Sequence, residues 1–126
     1  MAKILLIEAD ASLAHELDVT LRVHDHDVVR LDSVAEALVR SIEIAPDLVL
    51  FDAASATEDD ALQLDGCRYV APHAGLVVIA RESPDETWHA LLCQRCVSAT
   101  LVRPFRLGAL IGSVRWAARA TSASAW

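Results

Sequence analysis

The sequence predicts a doubly wound α/β domain, a parallel sheet covered by helices on both faces. Three observations point there. Short continuous apolar runs, Lys3–Ile7 and Leu48–Phe51 above all, read as strands buried on both sides. Between such runs the apolar period changes to that of one helix face. The 126 residues, 54% of them apolar, suffice for one domain with a full core and no more.

The elements follow in order. Lys3–Ile7 is the first strand, closed by Glu8, Ala9 and Asp10. From Ser12, the four-residue spacing of Leu13, Leu17 and Leu21 predicts the first helix. Asp27–Leu31 is a weaker second strand. Ser33 and Glu36 form a capping box for a helix striped by Val34, Leu38, Ile42 and Ala45, which Pro46 stops. Leu48–Phe51 is the third strand and the clearest one. Thr57 and Asp60 look like another capping pair, opening a third helix from about Glu58 to Tyr69 with Gly66 inside it. Leu76–Ala80 is the fourth strand. Ser83-Pro84-Asp85-Glu86 starts a helix with Pro near its first position, carrying Trp88, Leu91, Leu92 and Cys96 on its apolar side. Thr100–Val102 is a short fifth strand, and Leu107, Leu110, Ile111 and Val114 stripe the last helix. Residues 121–126 read as a tail or linker, which bounds the domain at 1–120. No internal repeat is present.

Composition narrows the function. The net charge of −7 argues against direct nucleic-acid binding, which needs a basic patch. No apolar run reaches the roughly 18 residues of a membrane span, and the start lacks a signal-peptide pattern. Three cysteines make no disulfide framework, so a reducing cytoplasm is the expected setting.

In a doubly wound sheet the working site lies beyond the carboxyl ends of the central strands, at the switch point. That rule selects Glu8-Ala9-Asp10, Asp52, Ala80-Arg81 and Arg103-Pro104. The first turn has two carboxylates and no glycine, which argues against a direct phosphate or dinucleotide cradle. Carboxylates at the ends of adjacent strands suit a divalent cation with oxygen ligands, beside which Asp52 could attack phosphorus. The simpler alternative is that Glu8 and Asp10 cap the first helix.

Lys3-Ile4-Leu5-Leu6-Ile7-Glu8, then Pro46-Asp47-Leu48-Val49-Leu50-Phe51-Asp52, then Arg103-Pro104-Phe105 resemble the three landmarks of bacterial two-component response-regulator receiver domains of the chemotaxis-regulator-like kind. The resemblance covers about residues 2 to 119. It implies a flavodoxin-like sheet with strand order 2-1-3-4-5 and about five helices. It also implies a signalling module in a phosphorelay rather than an enzyme. Asp52 matches the aspartate that accepts a phosphoryl group from a histidine kinase or phosphotransfer protein. Glu8 matches an acidic residue of a Mg²⁺ pocket that Asp52 and the backbone carbonyl of Ala54 would complete. The face of the fourth helix, fifth strand and fifth helix is the expected surface for an output domain, a downstream protein or a homodimer.

The departures from the family lie in the same site. Ala9 stands where the family has its direct metal-binding carboxylate, which weakens any Mg²⁺ site. Asp10 is the alternative ligand, although its side chain leaves the turn in another direction. Arg103 replaces a lysine, and its bulkier fork is not a conservative exchange. Ala80 and Thr100 occupy the two switch positions, usually a hydroxyl residue and an aromatic. Two readings stay open: Asp52 is phosphorylated with altered rates and readout, or the domain is a degenerate receiver acting through its surface without phosphorylation.

A third reading is a thiol or metal sensor, since His89, Cys93 and Cys96 share a face on a helix. The plain alternative is that both cysteines are small buried residues of that helix. His24-Asp25-His26-Asp27 reads as a solvated polar turn, Glu58-Asp59-Asp60 as a negative first turn, and Trp88 and Trp116 as packing residues.

Overall fold

Five parallel strands lie side by side in the order β2-β1-β3-β4-β5 and alternate along the chain with five helices. The elements are β1 (Lys3–Ile7), α1 (Ala11–Val23), β2 (Asp27–Leu31), α2 (Val34–Ile44), β3 (Leu48–Ala53), α3 (Glu58–Val70), β4 (Gly75–Ala80), α4 (Glu86–Gln94), β5 (Ala99–Val102) and α5 (Leu107–Ser124). This computed structural model describes residues 2–53 and 58–124, and of residues 41, 42, 58, 59 and 120–124 the backbone alone. Thr57, Ala54 and Trp126 lie outside the described residues.

The continuous apolar runs have a simple cause: both faces of the sheet are covered. Strand side chains alternate, so odd and even positions feed two separate cores. Leu5, Ile7, Val49, Phe51, Leu76 and Val78 pack with α2, α3 and α4. Ile4, Leu6, Leu48, Leu50, Val77 and Ile79 pack with α1 and α5. All six residues of β4 are buried, as befits a strand between β3 and β5.

Local signals set most helix starts. Asp10 caps α1, accepting from the amides of Ser12 and Leu13, and Ser33 caps α2 by accepting from the Glu36 amide. Asp85 caps α4 through the Trp88 amide, which places Pro84 one residue before the cap instead of inside the helix. Gly66 has a packing reason: a Cβ there would lie 2.6 Å from Val34 Cγ1, so its absence lets α3 approach α2.

Several side chains depart from the expected pattern. In α2 the buried positions are Val34, Ala37 and Ile44, while Leu38 is 43% exposed at the edge of the stripe; the side chain of Ile42 lies outside the description. Leu107 and Trp116 of α5 are exposed, and Leu110, Ile111, Val114 and Ala117 do the packing. Cys93 and Cys96 are exposed, and Cys96 falls after α4 with φ 56. Residues 121–124, read as tail, continue α5.

Candidate functional site

The strand alternation that divides the core also assembles the site. Leu6, Leu50 and Leu101 all face the α1/α5 core, and two residues further along stand Glu8, Asp52 and Arg103. Register brings them level at one end of the sheet. Ile7 pairs with Phe51, Asp52 with Ile79, and Ala80 with Val102. The Glu8 amide donates to Leu31 O and the Arg103 amide to Ala80 O at 2.9 Å, fixing both chain segments just beyond their strands. The Arg103–Pro104 peptide is cis.

Arg103 binds the two acids together. Its Nη2 donates to Asp52 Oδ2 and lies 3.6 Å from Glu8 Oε2. Glu8 is buried to 5% exposure, and its Oε1 accepts from the Asp10 amide at 3.0 Å. Burial pushes the Glu8 carboxyl up to about 7 from its ordinary 4.5. Asp52 adds to this by accepting a hydrogen bond from the protonated form and by repelling the ionised one; the Asp10 amide and the Arg103 charge act in the opposite sense. Among the described residues, three buried atoms, Glu8 Oε2, Asp52 Oδ1 and Arg103 Nε, have no hydrogen-bond partner. Such unmet polar demand, concentrated in one place, is what a functional site looks like. Beside Arg103, Leu13, Leu17, Phe105 and Leu110 line a groove of about 370 Å³.

The other residues singled out by sequence fall into place around this triad. Ala9 is exposed and offers no ligand. Asp10 is exposed too, and its Oδ1 is taken by the first amides of α1 at 2.9 and 3.2 Å. Ala80 is buried at the end of β4, and Thr100 sits half-buried on β5 opposite Val78. The donor set fits a divalent ion poorly. Among the described residues, Asp52 Oδ1 is the carboxylate oxygen of the triad that no internal donor or ion pair occupies. Ala54, whose carbonyl the resemblance would enlist, lies outside the described residues.

The competing features resolve differently. His89 Nε2 lies 3.5 Å from Cys93 Sγ, so two of the three residues of the thiol reading do meet. No cluster of three or more such ligands exists among the described residues. The His24–Asp27 segment is a structured turn. His24 Nδ1 contacts Thr20 O, and His26 Nδ1 accepts from the Ala2 amide at 3.2 Å, with burial lowering the pKa of His26. Cys67 is fully buried, and burial pushes its thiol up to about 12.

Arg95 and Arg68 also escaped the sequence reading. Arg95 donates to Ala61 O, Leu91 O and both oxygens of Asp65, joining α4 to α3. Arg68 reaches Ala74 O at 2.7 Å and the carbonyls of Arg95 and Cys96. Nothing in their sequence spacing announces these long-range contacts.

No family model matches the chain. Its similarity is to individual proteins. The DNA-binding response regulator MtrA of Mycolicibacterium paratuberculosis is 27% identical over 114 residues, 90% of this chain. The MtrA of Mycobacterium tuberculosis matches to the same degree. The chain spans about half the length of these relatives, 49%. A CheY-like receiver domain protein from Methanospirillum hungatei superposes with a TM-score of 0.85 over 98% of both chains at 13% identity. The chemotaxis protein CheY4 of Vibrio cholerae gives 0.80 over 93% of this chain and 98% of its own, at 18% identity. The fold is that of the CheY-like receiver domains. By sequence the chain is similar to one half of these response regulators, and by fold to CheY-like receiver domains.

Proposed function

We propose that Asp52 is the phosphoacceptor of this receiver and that a histidine kinase or phosphotransfer protein is its donor. The observation that carries the reading is the placement of Asp52 at the end of central β3, between a buried acid and a fixed cation. An Asp52 oxygen forms a bond to phosphorus while the P–N bond of the donor breaks. The leaving nitrogen keeps the electron pair and takes up a proton, and an acyl phosphate remains on Asp52. The Arg103 guanidinium supports this by offsetting charge on the incoming group. The chain acts as a stoichiometric acceptor, not as an enzyme. Its output is another domain or protein engaging the α4-β5-α5 face, where a homodimer would also form. A cytoplasmic site of action is consistent with three free thiols and with described helices none of which is long and apolar enough to cross a membrane.

A second reading is favoured by Ala80 and Thr100. Buried Ala80 has no hydroxyl with which to bond a phosphoryl group, and Thr100 has no ring to swing inward. On this reading the domain signals through its surface without phosphorylation. One experiment separates the two. The protein is incubated with phosphoramidate and Mg²⁺ and weighed beside Asp52→Asn. A single added phosphate on the wild type alone supports the acceptor reading; no added mass under conditions that label an ordinary receiver supports the other.

A further inference from the structure

We propose that Arg103 is the resident cation of this site, so that Asp52 is held without a divalent metal. The inference rests on Asp52 being the signalling carboxylate and adds what neutralises it. Three of the four carboxylate oxygens of Glu8 and Asp52 already face a donor or a cation. Glu8 Oε1 accepts from the Asp10 amide at 3.0 Å, Glu8 Oε2 faces Arg103 Nη2 at 3.6 Å, and Asp52 Oδ2 accepts from the same Nη2. The two flanking residues contribute nothing, because Ala9 has no ligand and Asp10 turns its carboxylate onto the α1 amides. A hard cation with octahedral demand would find two carboxylate oxygens without a hydrogen bond here among the described residues, Asp52 Oδ1 and Glu8 Oε2, and the second already faces the guanidinium at 3.6 Å.

Displacing the guanidinium is unfavourable for structural reasons. Arg103 is anchored by its amide to Ala80 O at 2.9 Å and followed directly by Pro104, which restricts its backbone. Removing its head from Asp52 would leave a mostly buried carboxylate with a poorer counter-ion and bring two cations together. A side chain does not dissociate, so the charge balance at Asp52 becomes independent of the cations in solution.

Thermal unfolding of the full chain, with Mg²⁺ titrated against Na⁺ at equal ionic strength, tests this. The wild-type Tm should stay within about 1 °C, whereas Ala9→Asp/Arg103→Lys, which restores a carboxylate and removes the fork, should rise saturably by about 3 °C or more. A saturable Mg²⁺-specific rise in the wild type overturns the proposal, and that titration decides it alone if the variant does not fold. A folded double variant without a response also counts against it, because the donor set would then not be what excludes the metal. A second arm compares phosphoramidate labelling of Asp52 in Mg²⁺ and in EDTA. Equal labelling is expected, and labelling only in Mg²⁺ overturns the proposal. Absence of labelling in both sinks the acceptor reading while leaving the Tm result to judge the metal.

Discussion

Arg95 and Arg103 each lay a guanidinium on an aspartate, but at opposite levels of satisfaction. Around Arg95, Nε, Nη1 and Nη2 all have acceptors, two of them backbone carbonyls of α3 and α4. Among the described residues, Arg103 Nε has no acceptor, and Asp52 Oδ1 and Glu8 Oε2 accept no hydrogen bond. The first arrangement is closed and mechanical: it ties the end of α4 to α3, with Arg68 stapling the same corner from the other side. The second leaves hydrogen-bonding capacity unspent in a buried place, a cost a protein retains where something has yet to bind or react. The same residue pair is therefore a strut in one region and a site in the other, and the surrounding polar atoms tell them apart.

The comparison can be broken by experiment. If Arg95 is a strut, Arg95→Met should cost about 2 kcal/mol of stability by strand-and-helix loss in urea, because two part-buried carbonyls lose a charged donor. Phosphoramidate labelling of Asp52 should be unaffected while the variant is folded. A cost below about 1 kcal/mol would show the corner is held by packing instead.

The next effect is smaller and belongs to the site. Glu8 binds its proton more tightly folded than unfolded, since its pKa rises from 4.5 to about 7. Between those values the folded state holds more protons, so stability falls as pH rises through the window and levels off above it. Over that range the wild type should lose about 1 to 2 kcal/mol more than Glu8→Gln. Parallel pH curves for the two proteins would mean that Glu8 is not desolvated.

Asp65→Asn should cost less than about 1 kcal/mol, since Asp65 is half exposed and the Arg95 carbonyl contacts survive. The smallest perturbation is a thiol count. Cys93 and Cys96 should react with a thiol reagent on mixing, and Cys67 only as the fold opens. Prompt labelling of Cys67 would show that the α3 core is looser than its burial implies.

How legible each part was follows from the range of the forces involved. Buried parallel strands announce themselves because both faces are apolar, and the β1 and β2 bounds agree with the pattern to the residue. Helix starts at Ser33 and around Asp85 were readable because caps act over three residues. Leu38, Leu107 and Trp116 were misplaced because a helix stripe has edges, and only the neighbouring element decides which edge is covered. Exposed Cys93 and Cys96 overturned their expected burial for the same reason.

For the candidate site, the sequence by itself determined that Glu8, Asp52 and Arg103 stand at one end of the sheet. Period-two alternation carries Glu8, Asp52 and Arg103 past the ends of their strands on the same side, and parallel crossovers put those ends together. Tertiary structure alone decided what the members do to one another. That Asp10 serves α1, that Arg103 reaches both acids, and that Glu8 is buried deeply enough to hold a proton near neutrality depend on distances between segments far apart in the chain. Electrostatic interactions and desolvation act through space, and residue order carries no record of them until the sheet has closed.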